Sequence, residues 1–122
     1  MTSDGIPAAF LIDSRVRDRV LSVVLAGTAD MDARAPLQTF LRALHTQACG
    51  LGVQEVAVDF RNVEFMNSSC FKGFVDWLSE VQRAGTERHY QIRFLSNPAL
   101  TWQRRSLQAL RCFAMDAIRI EH

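Results

Sequence analysis

The sequence predicts a single α/β domain in which strands and helices follow the order β-β-α-β-α-β-α-β. Its 122 residues suffice for one hydrophobic core, since single domains commonly span about 100–200 residues. Short apolar runs alternate with longer segments whose apolar residues recur every three or four positions. The first two runs follow each other without a helix between them. We therefore expect a mostly parallel sheet with an antiparallel N-terminal edge and helices packed against it.

The N-terminal part is expected to form a hairpin. Residues 1–8 are small and polar and should be flexible, which leaves residues 9–122 for the domain. Phe10-Leu11-Ile12 and residues 20–25 are rich in apolar residues, and the charged segment between them is typical of a turn. The second strand should end over the residues from Gly27 to Asp30.

The next segment predicts a helix followed by a buried strand. Asp30 or Asp32 can cap this helix, and Pro36 is tolerated in a first turn. Gly50 and Gly52 are expected to end it. The apolar run 56–60 then has the length of a buried strand. The apolar residues of the helix are Leu37, Phe40, Leu41 and Leu44.

A second helix is expected to begin near Ser68 and to stop at Gly85. Its apolar face comprises Phe71, Phe74, Val75, Leu78 and Val81, and its polar face Lys72, Asp76, Ser79 and Arg83. Trp77 lies off the apolar face, so we expect it to be exposed for docking.

The C-terminal third predicts a strand, a helix and a closing strand. Residues 90–95 alternate as in a half-buried strand, and Ser96-Asn97-Pro98 is typical of a turn. A third helix should run from Trp102 to Phe113, and residues 118–120 should close the sheet.

Composition narrows the function classes. The formal net charge of +1 provides no general attraction to nucleic acid or to anionic membranes. No apolar stretch reaches the roughly 20 residues that a membrane span needs, and no basic signal-peptide start is present. The three cysteines have no paired metal-ligand spacing. We therefore expect a cytoplasmic protein with no metal, no cofactor, no bound nucleic acid and no membrane insertion.

The stretch from Val58 to Cys70 is the most informative part of the sequence. A hydrophobic strand ends, a polar turn follows, Phe65-Met66 returns toward the core, and Asn67-Ser68-Ser69 opens a helix. Asn and Ser are preferred at helix starts because their side-chain oxygens accept the free amides of the first turn. Helix capping alone would account for this triplet.

The same stretch resembles the signature of STAS domains, the anti-sigma factor antagonists and their relatives. In that family a strand is followed by Phe-Met/Ile-Asp-Ser-Ser/Thr-Gly, to which residues 65–70 are similar. Segments 23–30 and 96–99 are also similar to the second strand and to the Ser-Pro turn of the family. Two positions differ, because Asn67 replaces the usual acid and Cys70 the usual glycine.

The resemblance implies a STAS-like single domain that acts as a partner-switching regulator and not as an enzyme. It implies phosphorylation of Ser68, with Ser69 as a possible second site, by a GHKL-type serine kinase that is also an anti-sigma factor. A PPM-type serine phosphatase would remove the phosphate. The surface expected to contact these partners comprises Asp30, Asn67, Ser69, Cys70, Lys72 and Trp77.

Two alternatives remain at the level of sequence. The same fold could serve as a non-phosphorylated scaffold or as a transporter-associated subunit. Cys70 could be a reactive thiol in a sensor or enzyme, because helix N-termini lower thiol pKa values. Asp30 and Asp32 could act in acid–base or metal chemistry, although no ligating histidine is spaced with them. Helix capping and docking are the favoured roles for these two acids.

Overall fold

The structure, a computed structural model, describes residues 10–83, 90–113 and 118–122. The predicted element order is confirmed over these residues. The strands are β1 (Phe10–Arg17), β2 (Val20–Ala29), β3 (Glu55–Met66), β4 (Gln91–Leu95) and β5 (Ile118–Glu121). The helices are α1 (Arg34–Leu51), α2 (Ser68–Arg83) and α3 (Thr101–Phe113), and a short 3₁₀ turn, Met31–Ala33, precedes α1.

The five described strands form one sheet in the order β1-β2-β3-β4-β5. β1 is antiparallel to β2, and every other neighbouring pair is parallel, as predicted. Because each parallel strand lies next to its predecessor, right-handed crossovers place the three connecting helices on one face. Val23, Val58 and Phe94 are aligned across that face and are fully buried. The core therefore lies between this face and the helices.

The opposite face of the sheet is polar where β3, β4 and β5 meet. The Arg93 guanidinium lies 3.2 Å from the Glu55 carboxylate and 3.1 Å from the Glu121 carboxylate. On β2, Ser22 and Val24 alternate with core residues and are exposed. Charged side chains on this face are typical of an antiparallel or mixed sheet with one solvated side.

The hairpin is longer than the sequence predicts. Residues 13–17, of which three are charged, belong to β1, and the connection contains only Asp18 and Arg19. Both have positive φ, 52° and 67°, as the central residues of a type I′ turn do. The charged side chains are compatible with a strand here because β1 is at the sheet edge and residues 13–17 are exposed on both of its faces, whereas Phe10 and Ile12 pack against the core.

The start of α1 also differs from the prediction. Asp30 precedes the 3₁₀ turn and makes no side-chain capping bond, and Asp32 lies within that turn. The residue at the N-cap of α1 is Ala33, which has no side-chain bond to offer. At the other end, Gly52 has a φ of 64° and ends the helix, whereas Gly50 lies inside it. Residues 1–8 and Gly85, to which predictions were attached, lie outside the described residues.

β3 extends six residues beyond the predicted strand. Up to Asp59 it pairs with both β2 and β4, and from there to Met66 it pairs with β2 alone. The expected return of Phe65-Met66 to the core is half correct. Met66 is buried, but the Phe65 side chain is 49% exposed because neighbouring strand residues point to opposite faces.

Side chains from the α3 region satisfy the unpaired edge of β3. The Gln103 amide nitrogen donates to the carbonyls of Phe60 (2.7 Å) and Val63 (2.9 Å). Trp102 Nε1 donates to the Glu64 carbonyl at 2.8 Å. Beyond Asp59, β3 has no pairing with β4, and these hydrogen bonds take its place. They hold the segment of β3 that leads into α2.

Candidate functional site

Ser68 is the first residue of α2 and its side chain is exposed. Asn67 acts as the N-cap, because its Oδ1 accepts a 2.9 Å hydrogen bond from the Cys70 amide. The main-chain amide of Asn67 in turn donates to the Ala29 carbonyl at the end of β2. The helix start is therefore fixed to the sheet, and Ser68 is presented to solvent from a rigid position. Ser69 is partly buried.

Asp30 lies beside this helix start, and Cys70 points away from solvent. The Cys70 side chain is 1% exposed, and its thiol donates to the Asp30 carbonyl at 3.2 Å. Burial raises the pKa of the Cys70 thiol, the Asp30 charge raises it further, and Arg34 opposes both effects. Burial removes Cys70 from the surface that a partner could contact, which corrects that prediction, and the raised pKa of its thiol disfavours the alternative of a reactive cysteine.

Lys72 lies one helical turn after Ser68 and is exposed. Residues four apart in a helix are neighbours on one face, so the ammonium group can reach an anion on Ser68. The described residues include no ion pair of Lys72. The exposed position of this side chain is compatible with the predicted partner contact, which stays a prediction.

The prediction for Trp77 is wrong. Its side chain is 3% exposed, and its Nε1 donates a 2.8 Å hydrogen bond to the Tyr90 hydroxyl. The reason is that α2 packs against α1 as well as against the sheet. At Gly73, one turn earlier, an added Cβ would lie 3.5 Å from Leu41 of α1. α2 thus buries two faces, and the sequence pattern revealed only one.

Two exposed apolar side chains at this end of the fold were missed by the sequence analysis. Met31 is 60% exposed and Phe65 is 49% exposed. Phe65 pairs with Thr28 on β2, shortly before the turn that contains Met31. The exposure of Phe65 could have been found from strand alternation once Met66 was placed in the core. We call Asp30, Met31, Phe65, Ser68 and Lys72 the Ser68 surface.

A separate cleft of about 580 Å³ lies between α1 and α2. Its wall includes Arg42, His45, Asp76 and Trp77, of which only Trp77 was predicted to belong to a site. His45 Nδ1 lies 2.9 Å from the Tyr90 hydroxyl, which also accepts the bond from Trp77. The buried Trp77 and Tyr90 and the partly buried His45 thus satisfy one another.

Two further features of the described residues concern metal ligands and membrane spans. Within residues 10–83, 90–113 and 118–122, no group of three or more His, Cys, Asp or Glu side chains is placed to hold a metal ion. None of the helices in this part of the chain is both long enough and apolar enough to cross a lipid bilayer.

Comparison with known proteins gives matches of structure alone. No family model and no curated protein matches the sequence. An anti-sigma factor antagonist from Mycobacterium paratuberculosis is similar in structure, with a TM-score of 0.67, 17% identity and coverage of 94% of this chain and 87% of that one. The Bacillus cell fate determinant SpoIIAA in its phosphorylated form matches with a TM-score of 0.59, 17% identity and coverage of 93% and 92%. The chain has a STAS-like fold.

A STAS domain from Rhodobacter sphaeroides described as an antisigma-factor antagonist also matches, with a TM-score of 0.51, 17% identity and coverage of 71% and 86%. The STAS-like fold, which the sequence predicted from Asn67-Ser68-Ser69 and its surroundings, is thereby confirmed. In this fold the Ser68 surface lies where β2 and β3 end and α2 begins.

Proposed function

We propose that this protein is a regulatory protein-binding module that acts as an anti-sigma factor antagonist in a bacterial partner-switching system. The Ser68 surface binds a GHKL-type serine kinase that is also an anti-sigma factor. The kinase phosphorylates Ser68, and a PPM-type phosphatase restores the unmodified form. This cycle takes place in the cytoplasm, where ATP is available, and it assigns no catalytic step to this chain.

One observation carries the proposal. An exposed serine hydroxyl stands at the start of a helix, at the same end of the fold as two exposed apolar side chains, Met31 and Phe65. Exposed apolar groups with a polar surround are typical of protein-docking surfaces. A serine that a kinase must reach, and the apolar side chains that a partner would cover, therefore lie at the same end of the fold.

Phosphorylation would block docking without unfolding the protein. A phosphoserine carries about −1.5 to −2 charges at neutral pH. The free amides and the dipole of α2 stabilise an anion at position 68, and Lys72 lies on the same face. A partner that covers Met31 and Phe65 would have to remove water from this charge, or would be repelled by it. Modification thus leaves the fold intact and weakens the complex.

Asn67 fits this mechanism although the resembled family has an acid there. An amide oxygen caps α2 as a carboxylate would, and the cap bond to the Cys70 amide is 2.9 Å long. A carboxylate adjacent to phosphoserine would repel it, whereas a neutral amide does not. The substitution therefore favours the phosphorylated state of Ser68.

The phosphorylation step is tested with the cognate kinase and ATP, read by intact mass. We expect the wild-type chain to gain one phosphate, Ser68→Ala to gain none, and Ser69→Ala, the matched control, to behave as the wild type does. An unmodified wild type, or an undiminished gain on Ser68→Ala, would refute the phosphoswitch. Stable binding of the kinase without any phosphate transfer would instead support the non-phosphorylated scaffold.

The docking surface is tested by calorimetric titration of the same kinase. Phe65→Ser should weaken binding at least tenfold, which corresponds to about 1.4 kcal/mol. Phe113→Ser is the matched control, because Phe113 is similarly exposed (46%) but ends α3 at the far side of the fold. Equal losses of affinity for the two variants would contradict docking at the Ser68 surface.

A further inference from the structure

The outer edge of β1 is a second candidate interaction surface, independent of Ser68. β1 is eight residues long and stands at the end of the strand order. Among the described strands, only β2 pairs with it. An edge of this length presents a row of main-chain donors and acceptors that favours pairing with another strand.

The side chains of β1 are complementary to a second copy of β1. In an antiparallel pair centred on Ser14, residue 13 faces residue 15 of the other copy, and residue 12 faces residue 16. Two Asp13–Arg15 pairs and two Ile12–Val16 pairs then form across the interface. Opposite charges and apolar groups that face each other directly stabilise antiparallel strands. In the single chain, the Asp13 and Arg15 side chains are 70% and 85% exposed, and they form an ion pair of 4.0 Å with each other that pairing with a second copy would exchange for pairs between the two copies.

Neighbouring registers are less complementary. The register centred on Arg15 keeps two Asp13–Arg17 pairs but sets Arg15 against Arg15 and loses the Ile12–Val16 pairs. The register centred on Asp13 sets Asp13 against Asp13, and like charges in direct opposition are destabilising. A shift by one residue would exchange the two faces of one copy relative to the other. Of the registers centred on Asp13, Ser14 and Arg15, only the one centred on Ser14 combines opposite-charge pairs and apolar pairs without a like-charge pair, and it keeps both helical layers on the same face.

We propose that two copies of this chain associate through β1 in the register centred on Ser14. The result is one continuous ten-stranded sheet with a two-fold axis at Ser14. Val16, whose side chain is 45% exposed in the single chain, gains Ile12 of the second copy as a neighbour. The two sheets run in opposite directions, so the two Ser68 surfaces point to opposite ends and both stay accessible. The dimer is weak, because exposed ion pairs contribute little.

Charge reversal tests the pairing by sedimentation velocity of the full chain at increasing concentration and low salt. The wild type should dimerise at high concentration, and salt should weaken the dimer. Asp13→Arg and Arg15→Asp should each be monomeric alone and should form a mixed dimer when combined. The double variant should recover the homodimer. A wild type that stays monomeric at millimolar concentration, or a dimer unaffected by Asp13→Arg, would overturn the proposal.

A disulfide trap tests the register itself. Cα atoms of directly opposed residues lie about 4.5–5.5 Å apart, within the range of a disulfide. Ser14→Cys, made in a Cys112→Ser background to remove an exposed native thiol, should therefore form a covalent dimer on mild oxidation. Val16→Cys in the same background is the matched control, because its two thiols would be about 13 Å apart along the strands. Equal cross-linking of the two variants would refute this register.

Discussion

The side-chain amide of Gln103 donates a 2.7 Å hydrogen bond to the main-chain carbonyl of Phe60. The same nitrogen donates to the Val63 carbonyl at 2.9 Å. The side-chain oxygen of Gln103 accepts from the main-chain amide of Asn97, also at 2.9 Å. Gln103 is fully buried, so one side chain satisfies two buried main-chain carbonyls and one partly buried main-chain amide. These groups flank the part of β3 that leads directly into Ser68.

The first prediction concerns this buried amide. Gln103→Leu keeps a similar volume but leaves three main-chain groups unpaired, and each buried unpaired group costs about 1–3 kcal/mol. We expect the free energy of unfolding to fall by about 3 kcal/mol or more, measured by urea denaturation. Gln108→Leu, an exposed position on the same helix, should change it by less than about 0.5 kcal/mol. Similar losses for the two variants would contradict the role of Gln103.

The order of the elements could be predicted from the sequence, but the role of Gln103 could not. Apolar periodicity identifies each strand and helix because burial of one face depends on local spacing. β3 was predicted to stop at Phe60, since residues 61–64 are mostly polar and give no strand signal. Their strand geometry depends on β2 and on side chains some 40 residues later, which no local pattern encodes.

The candidate site was predictable to the extent that capping chemistry is local. Asn67 and Ser68 stand at the helix start as expected, because amide and hydroxyl oxygens satisfy the free amides there. Trp77 was misplaced because its burial depends on the packing of α2 against α1 and on a hydroxyl from Tyr90. The exposure of Met31 depends on a 3₁₀ turn that has no clear sequence signal.

The second prediction tests the cap of α2. Asn67→Ala removes the acceptor for the Cys70 amide, and we expect the free energy of unfolding to fall by about 1 kcal/mol. Asn67→Asp keeps the acceptor and adds a negative charge at the helix N-terminus, which should stabilise the fold by about 0.3–1 kcal/mol relative to the wild type. Urea denaturation at neutral pH measures both. Equal stability of the Ala and Asp variants would show that Asn67 does not cap the helix.

The third prediction concerns the hydroxyl of Tyr90. Burial raises the pKa of Tyr90, so the group stays protonated while it accepts from Trp77 at 2.8 Å and contacts His45 at 2.9 Å. Tyr90→Phe leaves the buried Trp77 N–H unpaired, and we expect a loss of about 1–3 kcal/mol in the free energy of unfolding. Trp77→Phe combined with Tyr90→Phe should cost less than the sum of the two single changes, because they share one bond. Additive losses would exclude this coupling.

The last prediction concerns stability in acid. Arg61 binds the Asp59 carboxylate with two nitrogens, at 2.8 and 3.0 Å, and this side-chain bonding lowers the pKa of Asp59 while partial burial opposes it. The folded pKa is thus below the unfolded value of about 3.9, so this contribution is present above pH 4 and is lost as the pH falls through the folded pKa. Asp59→Asn should therefore reduce the acid-induced fall in unfolding free energy, measured by urea denaturation between pH 5 and about 2. Arg61→Ala should reduce it similarly, and the double variant no further. An unchanged acid profile in Asp59→Asn would show that Arg61 does not stabilise the folded protein through this carboxylate.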